Sequence, residues 1–165
     1  MMGGCNKSDA VDALAVKEIY DVGEFKVTVP EGWKTIAITD PFAEGRPVKT
    51  DCVFLRKGGE SDRNAFEKPY IRIEYCKAEP QIPNQELFRS IEKLESFQLG
   101  ELTWNGYTAD EYHGKAHIGR FADIWAECGN HSFKALVWFE SGGGSIKLSD
   151  PDVQMILGSL SPAML

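Results

Sequence analysis

The Gly129-Asn130 dipeptide separates two runs, 117–128 and 131–140, in which apolar and polar residues alternate. Both residue types accept the positive φ angles of a tight turn, so a two-residue hairpin is expected there. Residues equidistant from such a turn face each other, and neighbours along a strand point to opposite sides. Ala126 then faces Phe133, Ile124 faces Ala135, and Ala122 faces Val137. That side is apolar throughout and belongs to a core. The other side pairs Phe121 with Trp138, Asp123 with Leu136, and Trp125 with Lys134, and it mixes large aromatics with charge. Two arrangements fit the mixture. A helix covering it in a three-layer sandwich is favoured; the alternative is an open platform for a protein partner, because Trp is enriched at binding hot spots. Phe121, Trp125 and Trp138 are the candidate protein-binding residues of that platform, with Asp123, Glu127 and Lys134 beside them.

Period-two patterns recur elsewhere. Phe25, Val27 and Val29 alternate with Lys26 and Thr28, closed by Pro30 and a turn at Glu31-Gly32. Further strands are expected over 33–39, 52–57 and 70–77, the last with Ile71, Ile73 and Tyr75 on one face. Asn105-Gly106, between Trp104 and Tyr107, predicts a second tight hairpin, and a turn is expected at Gly114-Lys115. Two stretches read as helical. Asn84 is a candidate N-cap, followed by Leu87, Ile91 and Leu94 at helical spacing with Phe88 beside them. Asp150-Pro151-Asp152 opens a second helix whose stripe is Val153, Ile156, Leu157 and Leu160. The segment 9–21 is ambiguous. The connections 40–50 and 58–69, rich in Gly, Pro and charge, read as mobile. The sum is an α+β fold, a central, mostly antiparallel sheet with helices packed on its faces.

With 165 residues, 42% of them hydrophobic, the chain has the size of one domain, which buries roughly 70% of its unfolded surface. No internal repeat appears. The expected organisation is a tether over 1–16 and a single domain over 17–165. A net charge of −7, without any run of Lys and Arg, argues against nucleic acid. No segment approaches the roughly 20 apolar residues that span a bilayer.

Cysteine usage speaks to chemistry and place. Cys5, Cys52, Cys76 and Cys128 form no CxxC, which gives zinc little support. Cys52 and Cys76 fall on neighbouring expected strands, so a disulfide is conceivable, with small buried thiols the plainer reading. Gly4-Cys5-Asn6-Lys7-Ser8 resembles the junction at which a bacterial lipoprotein is cut and lipidated on its cysteine. The resemblance implies lipidation of Cys5 and an extracytoplasmic, membrane-anchored protein. The alternative is an ordinary cytoplasmic start.

No constellation reads as a catalytic, cofactor or metal site. His113 and His117 flank a turn, where a spacing of four does not bring side chains together as it does on a helix. Asp110 and Glu111, near His113, point to opposite faces of a strand. Ser141-Gly142-Gly143-Gly144-Ser145 lacks the GK[ST] ending of a phosphate loop. The acidic stretch Glu60–Glu67 lacks the ligand spacing of a calcium loop. No cofactor is expected.

Phe25-Lys-Val-Thr-Val-Pro-Glu-Gly-Trp33 and Val153-Gln-Met-Ile-Leu-Gly-Ser-Leu160 bracket nearly the whole domain. In that order and spacing the chain resembles the Mog1/PsbP-like fold and the small bacterial lipoproteins that look like it. The resemblance implies a sheet flanked by helices. It also implies action by binding other proteins, because members of that fold include a GTPase-binding factor, photosystem subunits and secretion chaperones. The reading is therefore a non-enzymatic, membrane-tethered binding or assembly domain. A cytosolic adaptor or chaperone is the runner-up, and an enzyme of unrecognised type is third.

Overall fold

In a computed structural model of the protein, residues 14–58, 69–77, 83–141 and 144–163 are described. They form strands β1 Val16–Asp21, β2 Phe25–Pro30, β3 Trp33–Thr39, β4 Val48–Lys57, β5 Tyr70–Lys77, β6 Phe88–Lys93 and β7 Phe97–Leu99. There follow β8 Leu102–His113, β9 Ala116–Cys128, β10 His131–Trp138, β11 Glu140–Ser141 and β12 Gly144–Ser145, then helix α1 Pro151–Gly158 and β13 Ser161–Pro162. The large antiparallel sheet has the order β3-β4-β5-β10-β9-β8-β6, with β7 also on β8, and a small sheet has the order β1-β2-β13.

The inner face of the large sheet packs on the small sheet and α1. Phe25, Val27 and Val29 of β2, Leu55, Ile71, Ile73, Ile124, Ala135 and Val137 of the large sheet, and Val153, Ile156 and Leu157 of α1 all have zero exposure. Each large apolar side chain buried in this way contributes about 1.5–3 kcal/mol. The stripe expected on the terminal helix is this buried face. Asp150 stands at its N-cap and Pro151 in its first turn. The Asp150 carboxylate, however, accepts from the N–H of Lys147 rather than capping forward.

The fold is mostly β, which corrects the α+β expectation. The one described helix lies against the inner layer, and no described helix covers the outer face of the sheet. The expected helix after Asn84 is a single turn. Asn84 does cap it, accepting from the N–H groups of Glu86 and Leu87 at 3.0 and 3.2 Å, but the chain then enters β6. One extra residue bulges in that strand, where Arg89 opposes Asp110 and Glu92 opposes Thr108, and Ser90 takes a φ of 53°. A bulge shifts side-chain parity by one. Phe88 and Ile91, three apart, therefore both pack on the outer face, and the bulge imitates helical spacing.

Asn105-Gly106 is not a turn either. Strand β8 runs straight through it, and a Cβ on Gly106 would lie 2.2 Å from the carbonyl oxygen of Asp123 in β9. Glycine is there for close strand approach. The reversal comes earlier, at Gly100-Glu101, where Gly100 has a φ of 61° and sits against the carbonyl of Gly158. The Gly129-Asn130 hairpin forms as expected, with every anticipated pair in register from Cys128–His131 to Phe121–Trp138. The connection expected over 40–50 is shorter, because β4 begins at Val48, and the N–H of Asp40 donates to Pro47 across its base. Most of the 58–69 connection lies outside the described residues.

Candidate functional site on the outer face of the large sheet

Three rows of side chains run across the outer face, set by the strand registers. The first is Arg56, Tyr70, Trp138, Phe121 and Ala109; the second is Phe54, Arg72, Leu136, Asp123 and Tyr107; the third is Cys52, Glu74, Lys134, Trp125 and Asn105. The first row is dry from Trp138 to Ala109. Phe121 and Trp138 are only 1% and 5% exposed, with ring centroids 4.9 Å apart. Phe88 lies edge-on to Phe121 at 4.9 Å, and Tyr70 approaches Trp138 at 6.4 Å. The expected helical cover is replaced here by side chains from β5, β6 and β8. Phe121 and Trp138 thus form a second small core with Tyr107 and Ala109, and they do not stand on the surface as anchors. Of the three candidate residues, Trp125 alone keeps partial exposure.

The next two rows are ionic. Arg72, Glu74, Asp123 and Lys134 line a cleft of about 140 Å³ whose floor includes Ala135 and Leu136. Arg72 pairs with Glu74 two residues along β5, and its guanidinium lies 6.0 Å above the Phe54 ring. The Tyr107 hydroxyl donates to Asp123 Oδ2 at 3.0 Å. Burial pushes the Asp123 carboxyl above the usual carboxylate range, against the Tyr107 hydrogen bond and the Lys134 charge that favour its ionised form. Burial likewise holds the Tyr107 phenol well above its ordinary value, helped by the Asp123 charge beside it. Tyr107 thus stays a proton donor and Asp123 its acceptor. The arrangement offers a partly buried indole beside alternating cations and anions, a surface suited to recognition.

The remaining candidates are satisfied by one another. Asp110 accepts from Arg120 at 3.1 Å and lies 3.1 Å from His117, while Arg120 also donates to Thr108 at 3.0 Å and reaches Glu92. Glu111 lies 2.8 Å from His113. Asp110 and Glu111 therefore serve different histidines on opposite faces. A second cleft, of about 490 Å³, is lined by Arg120, Phe139, Ile146 and Lys147, but the guanidinium at its mouth is already engaged in that cluster. Cys52, Cys76 and Cys128 are thiols outside any disulfide, and the Cys76 thiol donates to the carbonyl of Ser132 at 3.8 Å. Burial raises the Cys52 thiol, which works against a nucleophilic thiolate. Among the described residues no three His, Cys, Asp or Glu side chains converge on a metal position, and no helix is long and apolar enough to cross a membrane. Cys5, Glu60–Glu67 and Gly142-Gly143 lie outside the described residues.

Two features escaped the sequence. Arg72 and Glu74 join the site because β5 lies beside β10, a pairing of strands far apart in the chain that no local signal announces. The other is a tie between the start of β3 and the first turn of α1. The Trp33 indole N–H donates to Asp152 Oδ2 at 3.0 Å, and Lys57 Nζ meets the same oxygen at 3.0 Å. Burial pushes the Asp152 carboxyl up, but the Trp33 and Lys57 hydrogen bonds and the Lys57 charge outweigh it and hold it below its ordinary value. The sequence matches no protein-family model and no curated protein at a significant level.

Proposed function

We propose that the protein is a non-enzymatic binding or assembly domain, tethered to a membrane through a lipid on Cys5, that engages a protein partner through the ionic half of its outer sheet face. The observation that carries this reading is the partly buried Trp125, packed against the Phe121 and Trp138 cluster, beside the cleft of Arg72, Glu74, Asp123 and Lys134. Interfaces are commonly built from an aromatic anchor with a polar rim. The dry cluster of Phe121 and Trp138 beneath the neighbouring row serves as its rigid support. The non-enzymatic reading is favoured by the way Asp110, Glu111, His113 and His117 are engaged with their own neighbours rather than gathered around a cavity.

A photo-crosslinking residue placed at position 125 in cells, with adducts identified by mass spectrometry, tests the surface. A specific protein adduct is expected, and Trp125→Ala should abolish co-purification of that protein while leaving the melting temperature nearly unchanged. Absence of adducts, or a binding loss that merely follows a loss of stability, rejects the surface. Mass spectrometry of the endogenous protein tests the tether. A diacylglyceryl group on Cys5 is expected, and a free thiol on a cytoplasmic chain would make this a cytosolic adaptor using the same face.

A further inference from the structure

The two edges of the large sheet are built differently. At the β6 edge, the Ser90 bulge and the charges of Arg89, Glu92 and Lys93 discourage another strand from adding. Among the described residues, the central part of the β3 edge has none of these guards. Its central residues Thr35-Ile36-Ala37-Ile38-Thr39 carry no charge, proline or positive φ. The irregularity of the β3–β4 pair lies on the β4 side, where four residues of β4, 49–52, answer the single Ile38 between Ala37 and Thr39.

The hydrogen-bonding phase of β3 is readable. Gly32 accepts from the N–H of Gly58, and the N–H of Asp40 donates to Pro47, so even-numbered residues turn their backbone groups toward β4. The carbonyl of Trp33, by contrast, is met by Lys17 from the opposite side. Thr35, Ala37 and Thr39 therefore present their N–H and C=O groups to the outer edge, and Ala37 and Thr39 are exposed.

The sequence along this edge is self-complementary. Read outward from Ala37, Ile36 matches Ile38, Thr35 matches Thr39, and Lys34 meets Asp40. We propose that a second copy of this chain docks antiparallel on β3 about a two-fold axis at Ala37. Ala37 then opposes its own copy as a hydrogen-bonded pair, and Thr35 opposes Thr39 in the same phase, giving a ladder of about six inter-chain hydrogen bonds. Ile36 and the partner's Ile38 lie side by side on the outer face and extend the row that begins at Phe54, which is paired with Ile36. Lys34 and the partner's Asp40 sit opposite each other at both ends, a favourable cross-strand arrangement. Any other extended segment would meet the same backbone groups, but few would match the side chains residue for residue. The two-fold axis also makes the contact isologous and closed.

Sedimentation velocity of the full chain over a concentration series tests the proposal. A reversible dimer is expected. Ala37→Lys places like charges against each other at the axis and should weaken it by about tenfold or more, with the melting temperature of the dilute protein unchanged. Lys34→Asp should weaken the dimer, and adding Asp40→Lys to it should restore the affinity by re-pairing the charges in reverse. A protein that stays monomeric to millimolar concentration overturns the proposal. So does a dimer that ignores Ala37→Lys, or one that the double variant fails to recover.

Discussion

The inner and outer faces of the large sheet are made by alternate residues of the same strands, yet they meet different fates. Along the inner face every central position is apolar and dry, because the small sheet and α1 lie over it. The outer face is dry only along one row, around Trp138 and Phe121. Within two to four residues along each strand it turns into Arg72, Asp123, Glu74 and Lys134. The backbone is common to both, so the difference comes from side-chain parity and from what each row has opposite it. A sheet can thus hold its fold with one face and keep a graded surface on the other, where a small hydrophobic cluster stiffens the edge of a charged patch.

The comparison can be broken most severely from inside. Leu157→Ala removes a fully buried side chain from the layer over the inner face and should cost about 2–5 kcal/mol in a denaturant titration. A loss below about 1 kcal/mol would mean that α1 contributes little to that layer. Gly106→Ala tests the junction between the faces, since its Cβ would strike the backbone of β9. A loss of about 1–3 kcal/mol is expected from the overpacking, and a neutral result would show that β8 and β9 are not so closely apposed.

Two carboxylates, one per face, sharpen the contrast through pH. Asp152→Ala leaves the buried Trp33 indole N–H without an acceptor, and should cost about 1–3 kcal/mol at neutral pH. The Asp152 carboxyl is lowered in the fold from its ordinary value of 3.8. Its contribution is therefore present above that value and lost as pH falls through the folded one. Asp123 runs the other way. Its carboxyl is raised from 3.8, so its contribution is present below that value and lost as pH rises through the folded one. Asp123→Asn should give a gain at neutral pH, smaller than any of the losses above, that disappears in acid. Thermal melts of both variants from pH 3 to 7 would check the pair, and parallel profiles would contradict the opposite signs.

Local chemistry was legible where it agreed with the tertiary structure. Gly129-Asn130 set a register that the fold keeps pair for pair, and the stripe on α1 is the buried one. Two signals misled because a different local device produces the same pattern. The bulge at Ser90 puts Phe88 and Ile91 on one face just as a helical turn would, and Gly106 answers a steric demand from β9 instead of making a turn. The outer site was half legible. Asp123, Trp125 and Lys134 follow from hairpin parity, whereas Arg72 and Glu74 arrive by a non-local pairing. Burial of Phe121 and Trp138 depended on Phe88 and Tyr70, whose positions the hairpin alone does not determine.

The bond between Trp33 and Asp152, with Ser161-Pro162 laid along Phe25 and Lys26, has a consequence for the birth of the protein. On a ribosome, β2 emerges more than a hundred residues before the helix and strand that cover it. Until they appear, Phe25, Val27 and Val29 have no lid, and the contacts that close the small sheet span almost the whole domain. Closure of such long-range pairings is slow. The nascent chain should therefore stay open along β2 until synthesis is nearly complete, and the whole domain should then close in one late step rather than piece by piece.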